Sequence, residues 1–136
     1  MLNALFLTLS ASTLMPVHST FPPSPQAIEG RWIVEDLGGG GIIDSSHLEL
    51  VFSHDGTFVG FSGCNTMTGA FALQGIRMSL QDIARAERRC APALMIQETR
   101  LLEALDAVVG FDIDHTGALI LRCPDGSCLT ARKAEH

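Results

Sequence analysis

The sequence has no concentrated positive charge. Nine lysines and arginines are scattered among fifteen acidic residues, for a formal net charge of −6. The densest basic group, Arg85, Arg88 and Arg89, is too small an electrostatic footprint for a polyanion, so nucleic acid is not an expected partner. No phosphate-binding loop, Ser-His-Asp order or HExxH helix occurs, which removes the motif-bearing enzyme classes. Charged residues are also few, at 18% against 46% hydrophobic. That balance belongs to a compact globular chain and not to a disordered one. A length of 136 residues suits one domain with a real core.

The N-terminus lacks both lysine and arginine before Arg31, and cysteine before Cys64. Met1 to Met15 is apolar and Leu-rich, too short to span a bilayer as a helix, and no second apolar segment follows. Its length fits a secretory h-region, and Val17-His18-Ser19 offers small residues for cleavage, although the positive n-region is missing. Residues 1–20 therefore read as a signal peptide. Residues 21–28, with three prolines between Phe21 and Gln26, read as a linker. Residues 29–132 read as the folded domain. The expectation is a periplasmic or secreted monomer with no membrane span after cleavage. The missing early cysteine argues against a lipid anchor there.

Strands are expected at Arg31–Asp36, His47–Ser53 and Thr57–Ser62, where apolar and polar residues alternate and His54-Asp55-Gly56 marks a hairpin. Ala70–Gln74 and Ile76–Leu80 read as a second hairpin, and Ile83–Glu87 as a further short strand. The one clear helix begins at Pro92, a residue suited to a first turn. Leu94, Met95, Leu101, Leu102, Leu105, Val108 and Val109 form its apolar stripe, Glu98 lies mainly off that stripe, and Gly110 ends the helix. Phe111–Asp114, Ala118–Cys123 and Cys128–Arg132 complete the strands. About seven short strands and one helix predict an α+β domain, a curled, barrel-like antiparallel β-sheet packed with one α-helix.

Four cysteines behind an export-like segment favour two disulfides, with free thiols and a metal site as alternatives. Cys123 and Cys128 flank the turn Pro124-Asp125-Gly126-Ser127. Facing hairpin positions lie near the ~5.5–6 Å Cα separation that a disulfide prefers. Zinc would need Cys64 and Cys90 as well, without the paired CxxC spacing of recognisable sites. Cys64 as a nucleophile would require a base such as His47, His54 or His115 beside it, and nothing in the sequence places one there. The structural reading makes Gly63 and Gly69 the hinges of a tight loop, with Asn65 capping it and Cys64 reaching Cys90. Asp112 and Asp114 read as exposed carboxylates, and Glu87-Arg88-Arg89 as a solvated patch.

Gly30-Arg31-Trp32, Leu50-Val51-Phe52, Gly56 to Gly60, Gly63-Cys64-Asn65 with Gly69 and Phe71, Cys90, and Glu98 with Leu101 to Leu105 occur in that order. Together they resemble the META domain, or HslJ-like, family from about Glu29 to Arg132. The resemblance implies a small barrel-like α+β envelope domain without established enzymatic activity or cofactor, linked to heat or antibiotic stress. It marks Trp32, Gly63, Asn65, Gly69, Phe71, Glu98 and Leu105 as structural motif residues. The expected partner is an envelope protein or a small molecule. A small-molecule or metal-binding module with its mouth near the Cys64 loop, and a cysteine hydrolase using Cys64, are the alternatives. The sequence departs from the family pattern in three respects. Ala86-Glu87-Arg88-Arg89-Cys90 replaces Thr-x-Met-Ala-Cys, the lipidation cysteine is absent, and the Cys123/Cys128 pair lies outside the pattern.

Overall fold

A computed structural model describes residues 25–43 and 46–134. The expected signal peptide, its cleavage site and residues 21–24 of the expected linker lie outside the described residues. Pro25–Ile28 forms one 3-10 turn, and Ile28 at its end is fully buried.

Eight strands follow: β1 (Gly30–Leu37), β2 (Glu49–Phe52), β3 (Thr57–Phe61), β4 (Thr66–Gln74), β5 (Arg77–Arg85), β6 (Gly110–Ile113), β7 (Leu119–Cys123) and β8 (Gly126–Lys133), with helix α1 (Pro92–Ala107) between β5 and β6. Each strand pairs antiparallel with the next, and β8 returns to β1, so the curled sheet closes into a ring. The seam between β5 and β6 is thin, with the single registered pair Arg77↔Gly110.

Alternation drives the inner face. Leu48, Leu50 and Phe52 all point inward and are buried, as their spacing predicts. Phe52 meets Phe58 at 5.9 Å and Phe71 edge-on at 5.1 Å between ring centroids, a geometry that aromatic quadrupoles favour. Phe52 and Phe58, both fully buried, each contribute roughly 1.5–3 kcal/mol of transfer free energy. Trp32 is anchored at both ends: its indole N–H donates to the Ile28 carbonyl at 2.8 Å, and the Lys133 ammonium lies 4.9 Å from its ring centroid. The buried start of the packed chain is therefore tied to β1 and β8.

Three elements differ from the sequence reading. The second hairpin starts four residues early, at Thr66, because β3 pairs along its whole length from Thr57↔Ala70 to Phe61↔Thr66. Ile76–Leu80 and Ile83–Glu87 are not separate strands: their central residues fall on the one strand β5, which runs from Arg77 to Arg85. The register slips between Thr68 and Ala70, opposite Asp82, which takes a positive φ of 57°. Aspartate tolerates that conformation better than most residues, and the extra residue forms a bulge. Gly69 sits at the slip because a Cβ there would come within 2.6 Å of the Phe58 ring and 2.9 Å of the Gln81 carbonyl. Finally, α1 ends at Ala107, and Val108 is already extended. Val109 N–H donates to the Arg122 carbonyl at 2.8 Å, so the β-branched pair joins the sheet. Gly110 opens β6 and does not end the helix.

Candidate functional site

The helix lies across the end of the ring at which β1, β3, β5 and β7 finish. Leu101 and Leu105 enter the core from it. Its polar residues tie down the surrounding loops. Gln97 Oε1 accepts from the Ile43 amide at 2.9 Å, and the Arg100 guanidinium donates to the Leu37 carbonyl at 2.7 Å. The helix therefore lies at the ring end beside the Cys64 loop, where a mouth for a small ligand is suggested above.

Residues 62–65 turn sharply after β3, with Gly63 at φ 92°. The Ser62 hydroxyl is the pivot. It donates to Glu98 Oε1 at 2.6 Å and accepts the amides of Cys64 at 3.2 Å and Asn65 at 2.9 Å. The Asn65 side-chain amide donates to Glu98 Oε1 at 3.0 Å and to the Arg88 carbonyl at 3.2 Å. Its oxygen accepts the Arg88 amide at 2.8 Å. Asn65 thus pairs with the backbone of Arg88 as a strand neighbour would. Beside it the Cys64–Cys90 disulfide spans a Cα separation of 6.0 Å.

Glu98 is the centre of this cluster. Only 2% exposed, it receives the Arg85 guanidinium on Oε2 at 3.0 Å as well as Ser62 and Asn65. Burying a carboxylate is costly unless donors surround it, and here three side chains do so. Among the described residues no buried side-chain nitrogen or oxygen lacks a partner. The sequence reading placed Glu98 off the buried stripe and did not single out Ser62 or Gln97; both helix residues are in fact buried. The stripe itself is narrower than expected: Leu101, Leu105 and Val108 are buried, but Val109 is exposed. The one available signal was adjacency: Gln97-Glu98 interrupts the apolar spacing where α1 faces the polar 62–65 turn.

The arrangement leaves little reactive chemistry. The Cys64 sulfur is bonded to Cys90, so it presents no thiolate. His47 bonds Glu49 at 2.6 Å and His54 bonds Glu29 at 3.4 Å, while His115 sits in an exposed turn. Among the described residues no three His, Cys, Asp or Glu side chains are placed to hold a metal ion.

The second disulfide, Cys123–Cys128, joins β7 to β8 at a Cα separation of 5.8 Å. Both cysteines line an open depression of about 250 Å³ with Leu37, Arg100 and Ala104, so this bridge lies against the later part of α1. Asp112 pairs with Arg122 at 3.4 Å. Asp114 is more than an exposed carboxylate. Its Oδ1 accepts from the Thr116 amide, the Thr116 hydroxyl and the Ala118 amide at 2.6–3.0 Å. These bonds, the Thr116 hydroxyl first, hold its pKa down to about 2. Asp55 caps the β2–β3 turn through Thr57 in the same way.

Fold and site together define a small α+β domain: an antiparallel ring closed at one end by a single helix, with a disulfide against each end of that helix. The profile of the META domain matches residues 26–136, and the chain belongs to the META domain family. The solved structures it resembles share the fold. One, an NMR structure of a protein from Burkholderia xenovorans, has a TM-score of 0.65 at 20% identity, covering 92% of this chain and all of that one. Another, a crystal structure of a DUF4847 family protein from Bacteroides vulgatus, has a TM-score of 0.59 at 14% identity, covering 80% of this chain and 95% of that one. No curated protein matches the chain.

Proposed function

We propose that this is a non-enzymatic domain of the cell envelope, periplasmic or secreted, that acts through protein contacts in the response to heat or antibiotic stress. The observation that carries the reading is the oxidation of all four cysteines into two bridges. Such pairing persists in oxidising compartments and is rare where thiols are kept reduced. Two further observations support it. No helix among the described residues is long and apolar enough to cross a membrane. The most buried polar cluster spends its donors and acceptors on holding the Cys64 turn, the segment before α1 and the helix together. Those bonds give the cluster a structural role, in keeping with a contact module.

Non-reducing mass spectrometry of the exported protein tests the compartment. The expected mass is four hydrogens below that of the reduced chain, and free thiols in the exported protein would overturn the reading. A deletion strain challenged with heat and antibiotics tests the role, with sensitivity that the intact gene restores as the expected outcome.

A further inference from the structure

Two thirds of the protein's cations are engaged. Of the nine lysines and arginines, six side chains have a partner: Arg31 on Glu49, Arg85 on Glu98, Arg100 on the Leu37 carbonyl, Arg122 on Asp112, Arg132 on Glu35, and Lys133 on the Glu29 carbonyl. Among the described residues the side chains of Arg77, Arg88 and Arg89 have none. The last two are adjacent and exposed. No ion pair joins them to Glu87, the exposed anion beside them.

These two arginines stand on an irregular segment that is nevertheless fixed. Ala86 N–H donates to the Thr66 carbonyl at 3.0 Å, Asn65 grips both the amide and the carbonyl of Arg88, and Cys90 is bonded to Cys64. These restraints act on backbone or on Cys90, so both guanidinium groups are left without a partner while the segment that carries them is held at Ala86, Arg88 and Cys90. Exposed, weakly polar residues follow directly along the chain: Ala91, Pro92 and Ala93, then Ile96 at 62% exposure. A cationic pair on a held backbone, followed within eight residues by an exposed apolar side chain, on a chain of net charge −6, suits the recognition of an anionic segment, because little loop order is lost on binding.

We infer that Arg88 and Arg89, with Ile96, form a docking surface for an acidic segment of a partner protein, one carrying neighbouring Asp or Glu carboxylates beside an apolar side chain. Guanidinium groups match carboxylates in a two-pronged geometry. An anionic bilayer is the weaker candidate, since lipid surfaces are read by clusters of about four to eight basic residues, and two arginines on an acidic chain fall short of that. The inference rests on the contact-module reading above and names the surface and the partner chemistry.

The test is a titration of the oxidised protein, followed by amide NMR shifts, with a synthetic peptide of glutamates around a central leucine. Its glutamine counterpart and phosphatidylglycerol vesicles serve as comparisons. The expected result is shifts confined to residues 86–97, absent with the glutamine peptide. Binding should weaken at least about tenfold in R88Q/R89Q, the loss of hydrogen bonds to charged partners, with thermal midpoint and both disulfides unchanged. Shifts that survive in R88Q/R89Q, no shifts at all, capture by vesicles in place of the peptide, or self-association abolished by the variant would each overturn it. Failure here with the bridges intact in the exported protein removes this surface alone, whereas free thiols there remove the envelope reading as well.

Discussion

The two disulfides sit against opposite ends of the same helix, and they do different work. Cys123–Cys128 spans five residues across a hairpin whose strands are already registered from Leu119↔Ala131 to Cys123↔Gly126. It reinforces a geometry that backbone hydrogen bonds specify. Cys64–Cys90 spans 26 residues and joins a turn to a segment with no ladder of its own. There the staple is backed by Asn65, Ser62 and the buried Glu98. The lesson is that a cross-link matters most where regular structure is absent, and that the fold places a hydrogen-bonded cluster beside it for the same reason.

The sharpest way to break the comparison is to remove each bridge in turn. In the chain-entropy account the 26-residue separation is worth about 3.5 kcal/mol and the five-residue one about 2 kcal/mol. C64S/C90S is therefore expected to lower the urea midpoint more than C123S/C128S. Equal losses would show that the ladder around β7 and β8 does not substitute for its bridge.

A second prediction separates the Cys64 bridge from the cluster beside it. Asn65→Ala deletes the donor to Glu98 and both bonds to the Arg88 backbone. It leaves buried partners unsatisfied at a cost of ~2–3 kcal/mol. Hydrogen exchange should then rise at the amide of Arg88 while the disulfide stays formed. Were the amide to remain protected, the bridge alone would hold the segment, and the asparagine would be a turn residue only.

How much of this was legible in the sequence follows from what kind of signal each feature leaves. His47 to Phe52 keeps Leu48, Leu50 and Phe52 at one parity, so its strand and inner face are read directly. β5 does not: Met78 and Leu80 keep one parity, the bulge at Asp82 shifts it, and Ile83 then looks like the start of another strand. The cysteine pairs were readable because only a few arrangements of four residues were open. Glu98 was recognisable as a motif residue, but its burial was not, since helical periodicity assigns the inner face by apolarity and a carboxylate surrounded by donors breaks that rule. The grip of Asn65 on Arg88 is the least visible, because it engages backbone and so leaves no trace in the identity of its partner.

The smallest effect is expected at the turn that feeds β7 from the end opposite Cys123. Asp114 accepts three hydrogen bonds there, and its pKa is lowered from 3.8 to about 2. A carboxyl whose folded pKa lies below its unfolded value stabilises the fold when ionised in both states, so its contribution is present above pH ~4 and is lost as pH falls toward about 2. Asp55, held down first by its bond from the Thr57 hydroxyl, and Glu49, held down first by Arg31, have the same sign and lose stability in the same direction. Asp114→Asn keeps an acceptor oxygen but does not titrate. Its urea midpoint should consequently fall less than that of the parent protein between pH 5 and pH 2, with the remaining fall due to Asp55, Glu49 and the other carboxylates. Parallel curves would mean that the Thr116 and Ala118 bonds persist when the carboxyl is protonated, and that the β6–β7 turn, like the hairpin beyond it, is held by its backbone.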